Sequence, residues 1–157
     1  MLTNEPPVDL PHLAKTRSGV VFDPRQNVWS YADSLQTVRL DFSTLPVTDL
    51  MRHSIKSVLL WYAENLSPSY LVGRFHLLAK FLWFFYSSSF GPIVRISSEH
   101  VLSYRGTLDK RSEYLLGSLV SFFKKWNDMG LDGISSGIIS LLDKMRFKGC
   151  PDLPPKN

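Results

Sequence analysis

The chain has 157 residues, 44% of them hydrophobic, and a formal net charge of +4. That composition suits one packed domain with tails and excludes global disorder. A single cysteine, Cys150, excludes an internal disulfide. It sits in a Pro/Gly-rich tail with no His or acid nearby, so it reads as a bystander thiol in a reducing compartment.

The charge is unevenly spread. Residues 1–50 carry four Lys/Arg against six Asp/Glu, a net −2, and residues 51–157 carry fourteen against eight, a net +6. A basic body suits a polyanionic partner, nucleic acid or a membrane surface, and plain solubility is the alternative.

Residues 1–18 read as a flexible leader, because Pro6, Pro7 and Pro11 resist regular structure and no period is present. No apolar h-region marks a secretory signal, so a cytoplasmic location is expected. Over 19–43 the character changes. Val20-Val21-Phe22, Val28-Trp29-Ser30-Tyr31 and Val38-Arg39-Leu40-Asp41-Phe42 are short β-branched and aromatic runs. The first two are separated by the turn formers Asp23-Pro24-Arg25-Gln26-Asn27, which predicts a small hairpin or a three-strand meander. Val38, Leu40 and Phe42 alternate with Arg39 and Asp41, so one face should pack and the other meet water. So small a sheet must lie against the helices.

From residue 44 the period is helical. A first helix is predicted over Thr48 to Asn65, with Thr48 as N-cap and Asp49 at the positive end of the dipole. Met51, Ile55, Val58, Leu59 and Tyr62 form its apolar face, and Arg52 and Lys56, four apart, share another. Ser67-Pro68 opens a second helix running to about Ser87. Leu71, Phe75, Leu78, Leu82 and Phe85 form one stripe on it, and Leu77, Phe81 and Phe84 a second, as in the buried centre of a bundle. Its apolar stretch, Phe75 to Val94, is interrupted by Lys80 and closed by Ser87-Ser88-Ser89 and Gly91-Pro92. The unbroken part is far short of the ~18 apolar residues of a spanning helix.

A short helix follows from about Ser98 to Arg105, capped by Ser97 or Ser98. A fourth spans about Lys110 to Asp128, with Tyr114, Leu115, Leu119, Phe122, Phe123 and Trp126 on its apolar side. Lys124 and Lys125 lie near its C-terminal end and Gly130 terminates it. A last helix runs from about Ile134 to Met145, and residues 148–157 have linker composition. The expected fold is mainly α, a bundle of four to five helices with a small N-terminal β element, and the helical domain spans 19–147.

Little in the chain suggests catalysis. His12, His53, His76 and His100 are scattered without metal-ligand spacing, so no metal site is expected. No Gly-rich phosphate loop is present. Ser135-Ser136-Gly137 after Gly133 is a helix start and not a nucleophile elbow, because no strand precedes it. Carboxylate pairs are missing from the apolar segments, and the tyrosines are explained by packing. No cofactor and no small-molecule ligand are expected.

The remaining chemistry is basic. Arg74, Lys80, Arg105, Lys110, Arg111, Lys124 and Lys125 suit phosphate oxygens, and Ser69, Tyr70 and Arg74 at the start of the second helix are candidates for base contacts. The competing reading is that these are solvated helix faces.

Val28-Trp29-Ser30-Tyr31-Ala32-Asp33, Val38-Arg39-Leu40-Asp41-Phe42-Ser43-Thr44-Leu45, Leu131-Asp132-Gly133-Ile134-Ser135 and Leu141 through Gly149 follow one another in an order that resembles the N-terminal half of phage-integrase-type tyrosine recombinases. The resemblance covers roughly residues 20–150 and rests on packing and turn residues. It implies a SAM-like core-binding domain that clamps double-stranded DNA, with other recombinase protomers as further partners and no membrane. By position, the second and fourth helices would cross the major groove, and the N-terminal β element departs from the simplest four-helix version. The family's catalytic Arg, Lys, His-x-x-Arg and nucleophilic Tyr match no position here. The chain is therefore expected not to be an enzyme by itself, and 148–157 to lead toward a catalytic domain absent from it. The alternative is a helical protein-interaction or oligomerisation domain, joined through exposed aromatics such as Trp61 or Trp83.

Overall fold

The computed structural model describes residues 10–135 and 137–144. The first nine residues of the expected leader, Ser136, the end of the last predicted helix, the linker 148–157 and Cys150 lie outside the described residues.

Two antiparallel hairpins precede five helices. The first pairs β1 (Ala14–Lys15) with β2 (Val21–Phe22), Ala14 opposite Phe22. The leader expected through residue 18 thus gives way to paired structure at Ala14. The hairpin is tied down by Arg17, whose backbone N–H donates to the Ala63 carbonyl at 3.0 Å. The second hairpin pairs β3 (Val28–Asp33) with β4 (Gln36–Asp41), Trp29 opposite Leu40 and Asp33 opposite Gln36. The two sheets are separate, so the three-strand alternative does not form. The β3–β4 turn holds Ser34 at φ 51° and Leu35 at φ 65°. Two consecutive left-handed residues are the hallmark of the two-residue turn that matches strand twist. Neither is glycine, which is why no turn signal stands out there in the sequence.

The alternation expected in β4 is present. Val38, Leu40 and the following Phe42 are fully buried while Arg39 is exposed. Trp29 stacks at a tilt on Phe42 (4.8 Å between centroids), and Phe42 meets Phe75 edge-on at 5.4 Å. This aromatic chain fastens the hairpin to the helices, as a two-stranded sheet requires.

Helix α1 spans Asp49–Asn65 and is capped by Thr48, whose hydroxyl accepts the Met51 N–H. Helix α2 spans Pro68–Tyr86 and begins with proline in its first turn. All five residues of its first predicted stripe are buried, as is Phe81, whereas Phe84 and Trp83 are exposed. Helix α3 (Ser98–Thr107) opens with a capping box between Ser97 and His100. Helix α4 (Glu113–Asp128) starts three residues later than predicted, so Lys110 and Arg111 sit in the preceding turn and not in the helix. Gly130, at φ 68°, follows its end. Helix α5 (Ile138–Lys144) starts four residues later than predicted.

The reason for the late start of α5 is tertiary. Ile134 pairs with Ile96 in an isolated parallel bridge, Ile96 N–H donating to the Gly133 carbonyl at 2.8 Å and Ser135 N–H to Ile96 at 3.0 Å. The same 91–97 segment is bonded on its other end to Pro46 and Thr48 through Ile93. Gly133 itself, at φ 107°, packs so close that an added Cβ would lie 2.4 Å from Met51 Sδ and 2.9 Å from Trp126 Cζ2. The core joins α1, α2 and α4 around Leu59, Leu78, Phe81, Phe122, Phe123 and Trp126. At roughly 1.5–3 kcal/mol per fully buried large side chain, this cluster is the main stabilising term. Tyr114, expected on the buried side of α4, is exposed instead.

Candidate functional site

Three helices build a basic groove of about 410 Å³. Trp61 and Tyr62 come from α1, Tyr70 and Arg74 from α2, and Lys124 and Lys125 from α4. The spacing on each helix explains the convergence. Tyr70 and Arg74 are four apart and therefore neighbours on one face, with the guanidinium 5.5 Å from the Tyr70 ring centroid. On α4, Trp126 is fully buried and its Nε1–H donates to the Asp132 carbonyl at 2.9 Å. That anchor sets the rotation of the last turn and leaves Lys124 and Lys125 half-buried beside the groove.

The cations here rest mainly on aromatic faces. Lys125 Nζ lies 4.0 Å from the Trp61 ring centroid, a cation–π contact that orders the ammonium without neutralising it. Arg74 leans on Tyr70, and its Nε is buried with no hydrogen-bond partner among the described residues. Burial raises the Tyr62 phenol above its ordinary pKa, with the Arg74 charge opposing. Lys124 is paired to Asp143 at 3.0 Å in an exposed bridge worth little in water. The Ser121 hydroxyl and the Asp128 carboxylate complete the lining. Such a groove offers positive charge and N–H donors to an anionic ligand.

The nine residues singled out in the sequence divide. Tyr70, Arg74, Lys124 and Lys125 come together in the groove. Ser69 turns toward the second hairpin, its hydroxyl 3.0 Å from Gln36 Oε1. Lys80 lines a separate groove of about 590 Å³ between α2, α3 and the turn into α4, beside Trp83 and Asp109. Lys110 and Arg111 are exposed in that turn. Arg105 donates through Nε and Nη2 to Glu113 Oε1, at 3.1 and 2.8 Å, so its charge is engaged in joining α3 to α4. Trp61, Tyr62 and Ser121 were not anticipated as part of a basic site. Only the packing of α1 against α4 reveals them.

A second basic cluster, also unanticipated, joins the β2–β3 loop to the start of α1. Arg25, Arg52, His53 and Lys56 surround a hollow of about 390 Å³. Here the cations are committed. Arg52 Nε donates to the Phe42 carbonyl at 2.9 Å and Nη2 to the Val47 carbonyl at 3.1 Å, while Nη1 pairs with Asp49. Lys56 is buried, with Nζ 3.1 Å from the Arg25 carbonyl and 3.4 Å from Asn27 Oδ1. Desolvation lowers its pKa, helped by the Arg52 charge and opposed by Asp23. Arg25 forks onto Asp23, and these hydrogen bonds hold the Asp23 carboxyl at about 2. This cluster is a fastening between hairpin and bundle.

Among the described residues no group of three His, Cys, Asp or Glu side chains is placed to hold a metal ion, and no helix is long and apolar enough to cross a membrane. Comparison with protein families, with curated proteins and with solved structures found no match to this chain.

Proposed function

We propose that this chain is a DNA-holding helical module, the core-binding part of a tyrosine-recombinase-type protein, and that the α1–α2–α4 groove is its main phosphate contact. One observation carries the reading: Arg74 and Lys125 lie on aromatic rings, and among the described residues no carboxylate pairs with either. A charge held in place but left unneutralised favours an incoming polyanion, because little side-chain entropy is lost and no ion pair must break. Lys110 and Arg111 are exposed just before the other end of α4, outside the groove. The mainly helical fold and the order of the N-terminal segments support the family reading.

Fluorescence anisotropy of the purified chain against a labelled ~30-bp duplex, repeated across salt concentrations, tests it. Three to five phosphate contacts give a log–log salt slope of about −3 to −5. Absence of binding at low salt removes the reading.

A second reading has its own observation. Trp83, Tyr86 and Phe90 are exposed on and after the last turn of α2, and Leu102 is exposed on α3. Trp83 and Tyr86 touch edge-on at 5.2 Å. Exposed aromatics of this kind suit a protein partner or a second copy of the chain. Analytical ultracentrifugation of the native chain and of Trp83→Ser separates the two: self-association lost in the variant supports this reading, and a monomer at all concentrations removes the oligomer form of it.

A further inference from the structure

Three features of the groove exceed what a duplex phosphate requires. It is an open groove of about 410 Å³, with more room than the surface contact that a duplex phosphate needs. Aromatic rings and cations share its lining in the pairs Tyr70–Arg74 and Trp61–Lys125, and Tyr70 is half-exposed (52%). Interleaved rings and basic groups are the composition of surfaces that hold unpaired nucleotides, rings for bases and cations for backbone.

The third feature is Asp128. It lines the same groove, and no ion pair to it is found among the described residues. A carboxylate beside a phosphate site is repulsive if phosphates are all the site receives. It becomes useful if a base edge arrives with an amino group, since carboxylates accept from the cytosine amine.

We propose that the groove receives one unpaired nucleotide, its phosphate on Arg74, Lys124 and Lys125, its base against Tyr70, and its amino edge on Asp128. The inference rests on the DNA-binding reading and narrows it. The ligand is DNA with a base displaced from the stack, by a bulge, a frayed end or a local opening, and bases carrying an exocyclic amine are preferred. Unstacking costs least where the base is already unpaired, so a bulged duplex is the appropriate probe.

The experiment measures anisotropy of the full chain with three labelled duplexes of one sequence: intact, with one extrahelical dC, and with one extrahelical dT. The dC bulge is expected to bind about tenfold tighter than the intact duplex, in line with one stacked base, and tighter than the dT bulge. Asp128→Asn should bring the dC and dT bulges to equal affinity, and Tyr70→Ala should reduce the preference for bulged over intact DNA. Equal binding of all three duplexes overturns the inference and leaves the phosphate reading standing. A bulge preference that persists in both variants assigns it to duplex flexibility and also overturns the inference. No binding to any probe removes both readings.

Discussion

The two basic clusters that share α1 contain similar residues and do opposite work. At the start of the helix, Arg52 and Lys56 reach backbone carbonyls of the hairpin and its loop, and Arg25 is forked onto Asp23. Near its C-terminal end, Lys125 and Arg74 lie on Trp61 and Tyr70, and Arg74 Nε has no acceptor. The first cluster satisfies buried acceptors that would otherwise cost about 1–3 kcal/mol each. The second leaves the ring-supported charges of Arg74 and Lys125 for something outside the chain. Counting basic residues does not separate the two roles; the identity of what each cation touches does.

The most disruptive test removes the frame that both clusters depend on. Gly133→Ala adds a Cβ that would meet Met51 Sδ and the Trp126 ring, at a backbone φ of 107° that side chains rarely adopt. Strain and overpacking together predict a loss of about 3 kcal/mol or more. Because Trp126 sets the last turn of α4, DNA binding should fall with stability. Chemical denaturation and anisotropy on the same sample check this, and a variant of native stability contradicts the packing described.

Next comes the structural cluster alone. Arg52→Ala takes a donor from the Val47 carbonyl and one of two from the Phe42 carbonyl, which keeps the Leu45 N–H, for an expected cost of about 1–3 kcal/mol. The fraction that remains folded should bind duplex DNA as the native chain does. A large loss of affinity at unchanged stability would mean the two clusters are not divided as argued.

The reciprocal change is Lys124→Ala with Lys125→Ala. Lys124 gives up only an exposed bridge and Lys125 only a ring contact, so stability should move by no more than about 1 kcal/mol. Affinity for duplex DNA should drop about tenfold or more, and the salt slope should shrink by about 2. Thermal melts and salt-dependent anisotropy read both quantities.

The smallest expected effect is a pH step remote from either cluster. His100 Nδ1 accepts the Ser97 N–H at 3.1 Å in the capping box of α3, and burial lowers its pKa below the ordinary 6.5, with Glu99 opposing. The unfolded chain therefore takes up this proton first as pH falls. The stability is full above about 6.5 and is lost as pH drops through that value toward the folded-state one. Tm should decline modestly over that window, and His100→Gln, which keeps a capping acceptor, should flatten the step.

Much of the fold was legible from residue order. Thr48, Ser67-Pro68 and Gly130 mark helix ends because caps and terminators act within one turn of chain, and the stripe Leu71 to Phe85 marks a buried helix face because its period is local. Four of the nine predicted contact residues also meet in one groove, since Tyr70 with Arg74 and Lys124 with Lys125 are neighbours on their own helices. The start of α5 was misread because Ile134 is drawn into a bridge with Ile96, a partner 38 residues away in the chain. The β3–β4 turn was silent because Ser34 and Leu35 carry no glycine signature.

By itself, then, the sequence determined the helices, their apolar faces and the excess of positive charge over residues 51–157, all of which follow from interactions between residues a few positions apart. Tertiary structure alone decided what each cation rests on. Arg105 meets Glu113, Lys56 meets the Arg25 carbonyl, and Lys125 meets the Trp61 ring. A charge acquires its role from the acceptor that packing brings within a few ångströms, and Lys56 with Arg25 and Lys125 with Trp61 become neighbours only when separate elements pack together.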